Sequence, residues 1–372
     1  MSQDKFRQKV EGLLAFADVK INGDRPWDIQ VHNDKLYARL LANGSLGLCE
    51  SYMDGWWDCD RLDEFSDRIL KAHLDTRVIP RTYFFDVFKA KLFNLQKPSK
   101  AFKVGKHHYD IGNDLYRRML GERLIYSCGY WKDATTLDEA QEAKLDLICR
   151  KVDLQPGMRV LDIGCGWGGT AKFAVEHYNV EVVGITVSEE QVRLGKEICQ
   201  GLPIEIRLQD YRSLEGLFDR ILSIGMFEHV GYKNYVAFMK VVNRCLKDDG
   251  LFLLHTIGGN RSVTTIDKCI ERYIFPNSML PSANQISAAI EGLFVLEDWH
   301  SFGVDYDKTL MQWYKNFHEN WDVLKKNYDE RFCRMWKFYL LACAGSFRAR
   351  QNQVWQIVLS PGGVPSGYQA KR

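Results

Sequence analysis

The sequence predicts an α/β fold, in which a doubly wound, mostly parallel sheet follows a small, mainly helical N-terminal domain. Three observations carry this. Apolar strand-like runs at 158–163, 180–185, 204–208, 218–224 and 250–255 alternate with helix-period segments, and such alternation builds a parallel sheet covered on both faces. The first run ends in a glycine-rich loop that opens a helix, Asp162 to Gly169. The residues before about 107 show no such alternation. With 372 residues, 46% hydrophobic and 26% charged, the chain has the composition of an ordinary globular protein that buries a core without staples. At roughly 150 residues per domain, two domains are expected.

The elements justify themselves in order. Residues 1–76 read as the first domain, with Phe6, Val10, Leu13 and Leu14 at helical spacing. Residues 77–106 change character. Eight cations face one acid, Asp86, and Tyr83, Phe84, Phe88, Leu92 and Phe93 lie among them. This basic amphipathic linker suits an anionic membrane surface; the alternative is an interdomain helix with solvated lysines. Residues 107–372 form the catalytic domain. Its first helix, within 135–152, opens on a capping box of Thr136 and Glu139. Leu137, Ala140, Lys144 (by its stem), Leu145 and Ile148 form its buried stripe. Residues 305–347 read as aromatic-rich helices.

Composition excludes some classes. A formal charge of +2 argues against a wholly basic nucleic-acid binder. No apolar run approaches a membrane span, and MSQDKFRQKVEGLL has no signal-type apolar core. The ten cysteines contain no CxxC pair, which reads as reduced, cytosolic thiols and no metal site.

The glycine loop (Gly164, Gly166, Gly168, Gly169) lets the backbone turn tightly and approach a ligand. It satisfies G-x-G-x-x-G, so a dinucleotide must be weighed. The second strand, however, ends Val182-Val183-Gly184-Ile185-Thr186, with no acid for ribose hydroxyls. Asp162 stands two residues before the first glycine, where a carboxylate orders the loop and faces a cationic, amino-acid-bearing ligand. S-adenosylmethionine fits that description. Thr186, Ser188 and Gln191 stand where ribose is held, and neutral hydrogen bonds replace the acid. Gln209, Asp210 and Tyr211 end the third strand, suited to an adenine amine and ring face.

Longer motifs then resemble one family. YSCGYW (126–131), VLDIGCGWGG (160–169), GITVSEEQ (184–191), GMFEHVG (225–231) and LLHTIG (253–258) together resemble the cyclopropane-fatty-acyl-phospholipid synthases. HYDIGNDLY (108–116), KCIERYIFPNSMLPS (268–282) and the N-terminal GSLGLCESYMDGWW extend the match to nearly the whole chain. The resemblance implies a Rossmann-like class I S-adenosylmethionine methyltransferase sheet. It implies transfer of a methylene unit to a cis double bond of a phospholipid acyl chain. It also implies bicarbonate as base, held by Cys128, Glu228, His255, Ile257 and Tyr306. Tyr126, Ser127 and Gly164 would lie at the amino-acid end of the donor, with Asp162 near its ammonium. Further implications are a homodimer, a phospholipid bilayer as partner, and a cytoplasmic enzyme resting on the inner face of the membrane. His229 reads as loop support. Lys268-Cys269 departs from the family's expected Pro-Trp. Plain methyl transfer without ring closure, and a non-catalytic lipid-binding module, stay open.

Overall fold

The computed structural model describes residues 3–77 and 112–372. The basic segment 77–106, apart from Arg77, lies outside the described residues. The elements are α1 (Gln3–Ala15), β1 (Gln30–Val31), α2 (Lys35–Asn43), α3 (Ser45–Met53), β2 (Trp57–Asp58), α4 (Leu62–Lys71), α5 (Asn113–Met119) and α6 (Leu137–Lys151). There follow β3 (Arg159–Ile163), α7 (Gly169–Tyr178), β4 (Glu181–Thr186), α8 (Glu189–Ile198), β5 (Ile204–Leu208), β6 (Phe218–Ile224), α9 (Tyr235–Cys245) and β7 (Leu246–Gly259). The chain closes with α10 (Ala283–Ile290), β8 (Val295–Ser301), α11 (Val304–Glu319), α12 (Glu330–Arg348) and β9 (Asn352–Ser360).

The sheet has seven strands in the order β5-β4-β3-β6-β7-β9-β8. The pairs from β5 through β7 are parallel and β8 runs antiparallel to β9. Alternation along one strand shows why both faces are covered. Val160 packs with Ile148 and Cys149 of α6 and Ala171 and Ala174 of α7. Its neighbours Leu161 and Ile163 join Phe238, Met239 and Val242 of α9 and Ile286 of α10 on the opposite face. A strand buried on both sides needs near-continuous apolar residues, which β3 has. The strand order reverses between β3 and β6, the switch point where such sheets bind ligands at their carboxyl ends.

The sequence reading places no strand after 255. β9 holds an unbroken buried run, Val354 to Leu359, in which the only polar residue is Gln356. Period alone does not separate such a run from a buried helix. β7 also extends to Gly259, beyond the expected 250–255.

The chain packs as two compact units. Of the described residues, one holds 3–77, 264–276 and 306–352, and the other holds 112–263, 277–305 and 353–372. These differ from the contiguous division into 1–76 and 107–372 that the sequence predicts. The reason lies in the late helices, whose aromatic faces complete the N-terminal core. In that unit Leu341 joins Val10, Leu36, Tyr52, Trp57 and Phe65. α12 approaches α4 so closely that a Cβ on Gly345 would stand 2.5 Å from the Asp63 carbonyl oxygen. Arg348 reaches both Asp63 and Asp307. Cys49 on α3 and Cys269 form a disulfide across 220 positions. This corrects the expectation of ten reduced thiols. Both residues are buried and face each other within the unit, which no local spacing reveals. The other eight cysteines are free.

Candidate active site

The sheet-containing unit gathers most of the candidate residues at the carboxyl ends of its strands. Thr136 and Glu139 form the expected capping box at the start of α6. The helix then fixes the 126–131 loop. Tyr130 N–H donates to the Ala140 carbonyl at 2.8 Å, and Gln141 Nε2 donates to the Ser127 carbonyl at 2.9 Å. The stripe is buried as expected, with one difference: Lys144 is 0% exposed, ammonium included. Its Nζ donates to Ser127 Oγ at 2.9 Å. Cys128 is fully buried, and the Tyr126 ring meets Tyr116 edge-on.

Asp162 ends β3. Neither of its carboxylate oxygens has a hydrogen-bond partner, and it is 2% exposed. Burial pushes its carboxyl up, opposed by the Lys144 ammonium. The same burial pushes Lys144 down, opposed by Cys128 and Asp162. The Asp162 carboxylate makes no hydrogen bond to the loop. The N–H groups of Gly164 and Cys165 donate instead to the Ile185 carbonyl at 2.9 and 3.0 Å. Gly168 caps α7 at φ 85°, and a Cβ there would stand 2.7 Å from Cys199 Sγ. Only glycine meets both demands. Gly166 also turns left-handed.

Beyond β4, Thr186 Oγ1 donates to Gln191 Oε1 at 2.6 Å and accepts from Ser188 N–H. Ser188 caps α8. Gln209 donates to the Ser213 carbonyl. The Asp210 carboxylate accepts from the Arg212 guanidinium and backbone. The Tyr211 ring packs edge-on against Phe238, and its buried hydroxyl has no partner.

Glu228 lies in a single turn after β6 and is 4% exposed. Its Oε1 accepts the Ile257 N–H at 2.7 Å, while Oε2 is buried without a partner. Burial pushes the carboxyl up to about 7, against the lowering effect of that N–H. His255, on β7, is buried and held well below its ordinary pKa, hence neutral. Its Nδ1 lies 3.4 Å from Gln356 Nε2, so the amide donates there and the ring proton sits on Nε2. His229 is likewise neutral by burial, pushed down to about 4.

Two close approaches tie these pieces together. A Cβ on Gly225 would stand 3.8 Å from Ser127 Cβ, and one on Gly164 would stand 2.7 Å from Met226 Cβ. The 126–128 loop and the glycine loop therefore both meet the turn that carries Glu228. Tyr306 belongs to the other unit, where its ring packs on Phe347 and Trp313.

Sequence reasoning missed the polar residues that hold these groups. Gln356 sits in an otherwise apolar, buried run, and Gln141 lies on the buried face of a helix rich in charged residues. An amide in such a run is itself a signal, since it must be hydrogen-bonded there.

Comparison with known proteins identifies the family. Residues 96–357 match the mycolic acid cyclopropane synthetase family. The chain is 53% identical to the cyclopropane-fatty-acyl-phospholipid synthase of Escherichia coli K12, over 99% of this chain and 97% of that one. The cyclopropane synthase MmaA2 from Mycobacterium tuberculosis superposes with a TM-score of 0.67 at 31% identity, over 72% of this chain and 99% of that one. The mycolic acid cyclopropane synthase CmaA1, complexed with SAH and CTAB, gives 0.66 at 35% identity over 69% and 97%. The chain belongs to the mycolic acid cyclopropane synthetase family, whose members are S-adenosylmethionine-dependent methyltransferases.

Proposed function

We propose that this enzyme transfers a methylene unit from S-adenosylmethionine to the cis double bond of unsaturated acyl chains in membrane phospholipids. The product is a cyclopropane ring, formed through a carbocation with bicarbonate as base. The observation that carries this is the 53% identity to a phospholipid-acting synthase along 99% of the chain. That likeness takes in the N-terminal residues, whereas CmaA1 covers 69% of the chain.

The residues present fit both absent groups. Two orphaned Asp162 oxygens suit a ligand ammonium, and the orphaned Glu228 Oε2 suits a hydroxyl donor. When bound, S-adenosylmethionine offers an electrophilic methyl group and bicarbonate offers a base. Glu228 Oε2 would accept a hydrogen bond from the bicarbonate hydroxyl and so orient the anion, as the third member of a triad orients its base. Neutral His255 offers an Nε2–H and Cys128 a main-chain N–H, while the Ile257 N–H is given to Glu228 Oε1 and holds that carboxylate in place; the family resemblance adds the Tyr306 phenol to the set. Tyr126, Ser127 and Gly164 serve the amino-acid end of the donor, Thr186 and Gln191 its ribose, and Gln209, Asp210 and Tyr211 its adenine. An unactivated alkene is a weak nucleophile, so the protein's work is alignment and exclusion of water.

Among the described residues no helix is long and apolar enough to cross a membrane. We place the enzyme in the cytoplasm as a homodimer, peripherally on the inner face of the membrane. The test is incubation with labelled donor and unsaturated phospholipid vesicles, followed by fatty-acid analysis. A labelled ring is expected. A methyl branch or methylene alkene would establish simple C-methylation instead. Tight donor binding with no labelled lipid would establish a lipid-binding module.

A further inference from the structure

Two polar side chains on one face of α6 reach the same residue. Gln141 bonds the carbonyl of Ser127 and Lys144 bonds its hydroxyl, each at 2.9 Å. Residues three apart on a helix point the same way. Both are buried, Gln141 at 2% exposure and Lys144 at 0%. An apolar side chain would fill that stripe without the cost of desolvating an ammonium. A lysine here therefore answers a need other than core filling.

Two neighbours supply the need. The Asp162 carboxylate is within electrostatic reach of the ammonium yet accepts no hydrogen bond. Lys144 thus acts on it through space, leaving both oxygens available. At Ser127 an ammonium has donors only, so it occupies a lone pair of the hydroxyl. The hydroxyl proton is then directed to some other acceptor.

We propose that Lys144 is a positioning residue of the donor pocket. With Gln141 it clamps Ser127, and with it the 126–128 loop, onto α6, while its charge balances the Asp162 carboxylate. Ser127 then presents its proton to an anionic ligand oxygen, and Asp162 presents two oxygens to a ligand ammonium. A free α-amino acid group carries both charges, so this pair suits the amino-acid end of the donor. The proposal rests on the donor-binding reading above.

The test uses S-adenosylhomocysteine as the probe, titrated calorimetrically into the full chain, together with donor KM and kcat. Lys144→Met should weaken S-adenosylhomocysteine binding and raise donor KM by about tenfold, with kcat changed less than about threefold. Ser127→Ala should show a similar loss, and the double variant should be no worse than Lys144→Met, because residues of one clamp are not additive. Both single variants binding within about twofold of wild type would overturn the proposal, as would losses that multiply in the double variant. A lower thermal midpoint with unchanged affinity would mark Lys144 as structural only and also overturn it. Should Lys144→Met fail to fold, Ser127→Ala alone decides: unchanged affinity removes the clamp. Binding is read without lipid. Wild-type protein that binds the probe but makes no ring therefore refutes ring formation and leaves this test standing.

Discussion

At Glu228, burial is opposed by the N–H groups of Ile257 and of Glu228 itself and by the Thr256 hydroxyl, and burial prevails, leaving the carboxyl at about 7. A carboxylate poised there is well placed for proton work at neutral pH. Glu228→Gln should lower turnover by at least about tenfold while S-adenosylhomocysteine affinity stays within about twofold, because an orienting group acts in the transition state. Equal loss of affinity would contradict the role. The same residue predicts a pH dependence of stability. Its folded-state pKa stands above the ordinary 4.5, so the neutral form favours folding. The stability it contributes is intact below about 4.5 and is lost as pH rises through about 7. Glu228→Gln removes that loss. Its thermal midpoint should match wild type near pH 5 and exceed it by about 2–4 °C near pH 8. Glu228 and His255 were legible because the sequence reading put one just after a strand and the other at an expected strand end, where a buried polar group is expensive. Lys144 was legible only as a stem. Helical spacing gives the face a side chain occupies, and it does not give the depth of the neighbouring layer that encloses its tip.

Among the elements, α6 shows how a local signal sets a distant geometry. Its capping box fixes the helix start, and the start fixes which residues meet the 126–131 loop. Thr136→Ala should cost about 1 kcal/mol of unfolding free energy, read by urea denaturation. Donor KM should stay within about twofold, since Gln141 and Lys144 sit a turn or more beyond the cap. The glycine loop was equally legible, because tight turns at positive φ admit few residues. β8 and β9 were not. They pair with each other antiparallel; β9 is buried along nearly its whole length while β8 is mostly exposed or half-buried, and neither carries an alternating pattern of its own. The partner that orders the glycine loop, the Ile185 carbonyl, was hidden for a related reason. A backbone acceptor leaves no mark on the residue type.

At the scale of the molecule, local sequence patterns predict contiguous domains, whereas the folded chain interleaves them. Packing between segments far apart in the chain is what a local reading does not hold. The disulfide between Cys49 and Cys269 is one such long-range link. Cys269→Ser should destabilise by about 2–4 kcal/mol, seen as a lower thermal midpoint that reductant no longer changes. A wild-type midpoint unaffected by reductant would show that the bond adds nothing. The basic segment 77–106 carries a net +7, which leaves −5 on the rest of a chain whose total is +2. Neutralising Lys97, Lys100, Lys103 and Lys106 should weaken sedimentation with anionic vesicles at low salt, and added salt should shrink the difference. Unchanged sedimentation would make the segment a linker only. The interleaving also bears on synthesis. α3 and α4 leave the ribosome early, but their core partner Leu341 is made late. At about 5–20 residues per second, the wait is roughly 15–55 s. Through that interval the nascent N-terminal helices can cover one another, but the apolar surface that Leu341 and its helix close over stays open. Chains stopped before α12 should therefore need a chaperone to stay in solution, although every residue of the first four helices is already present.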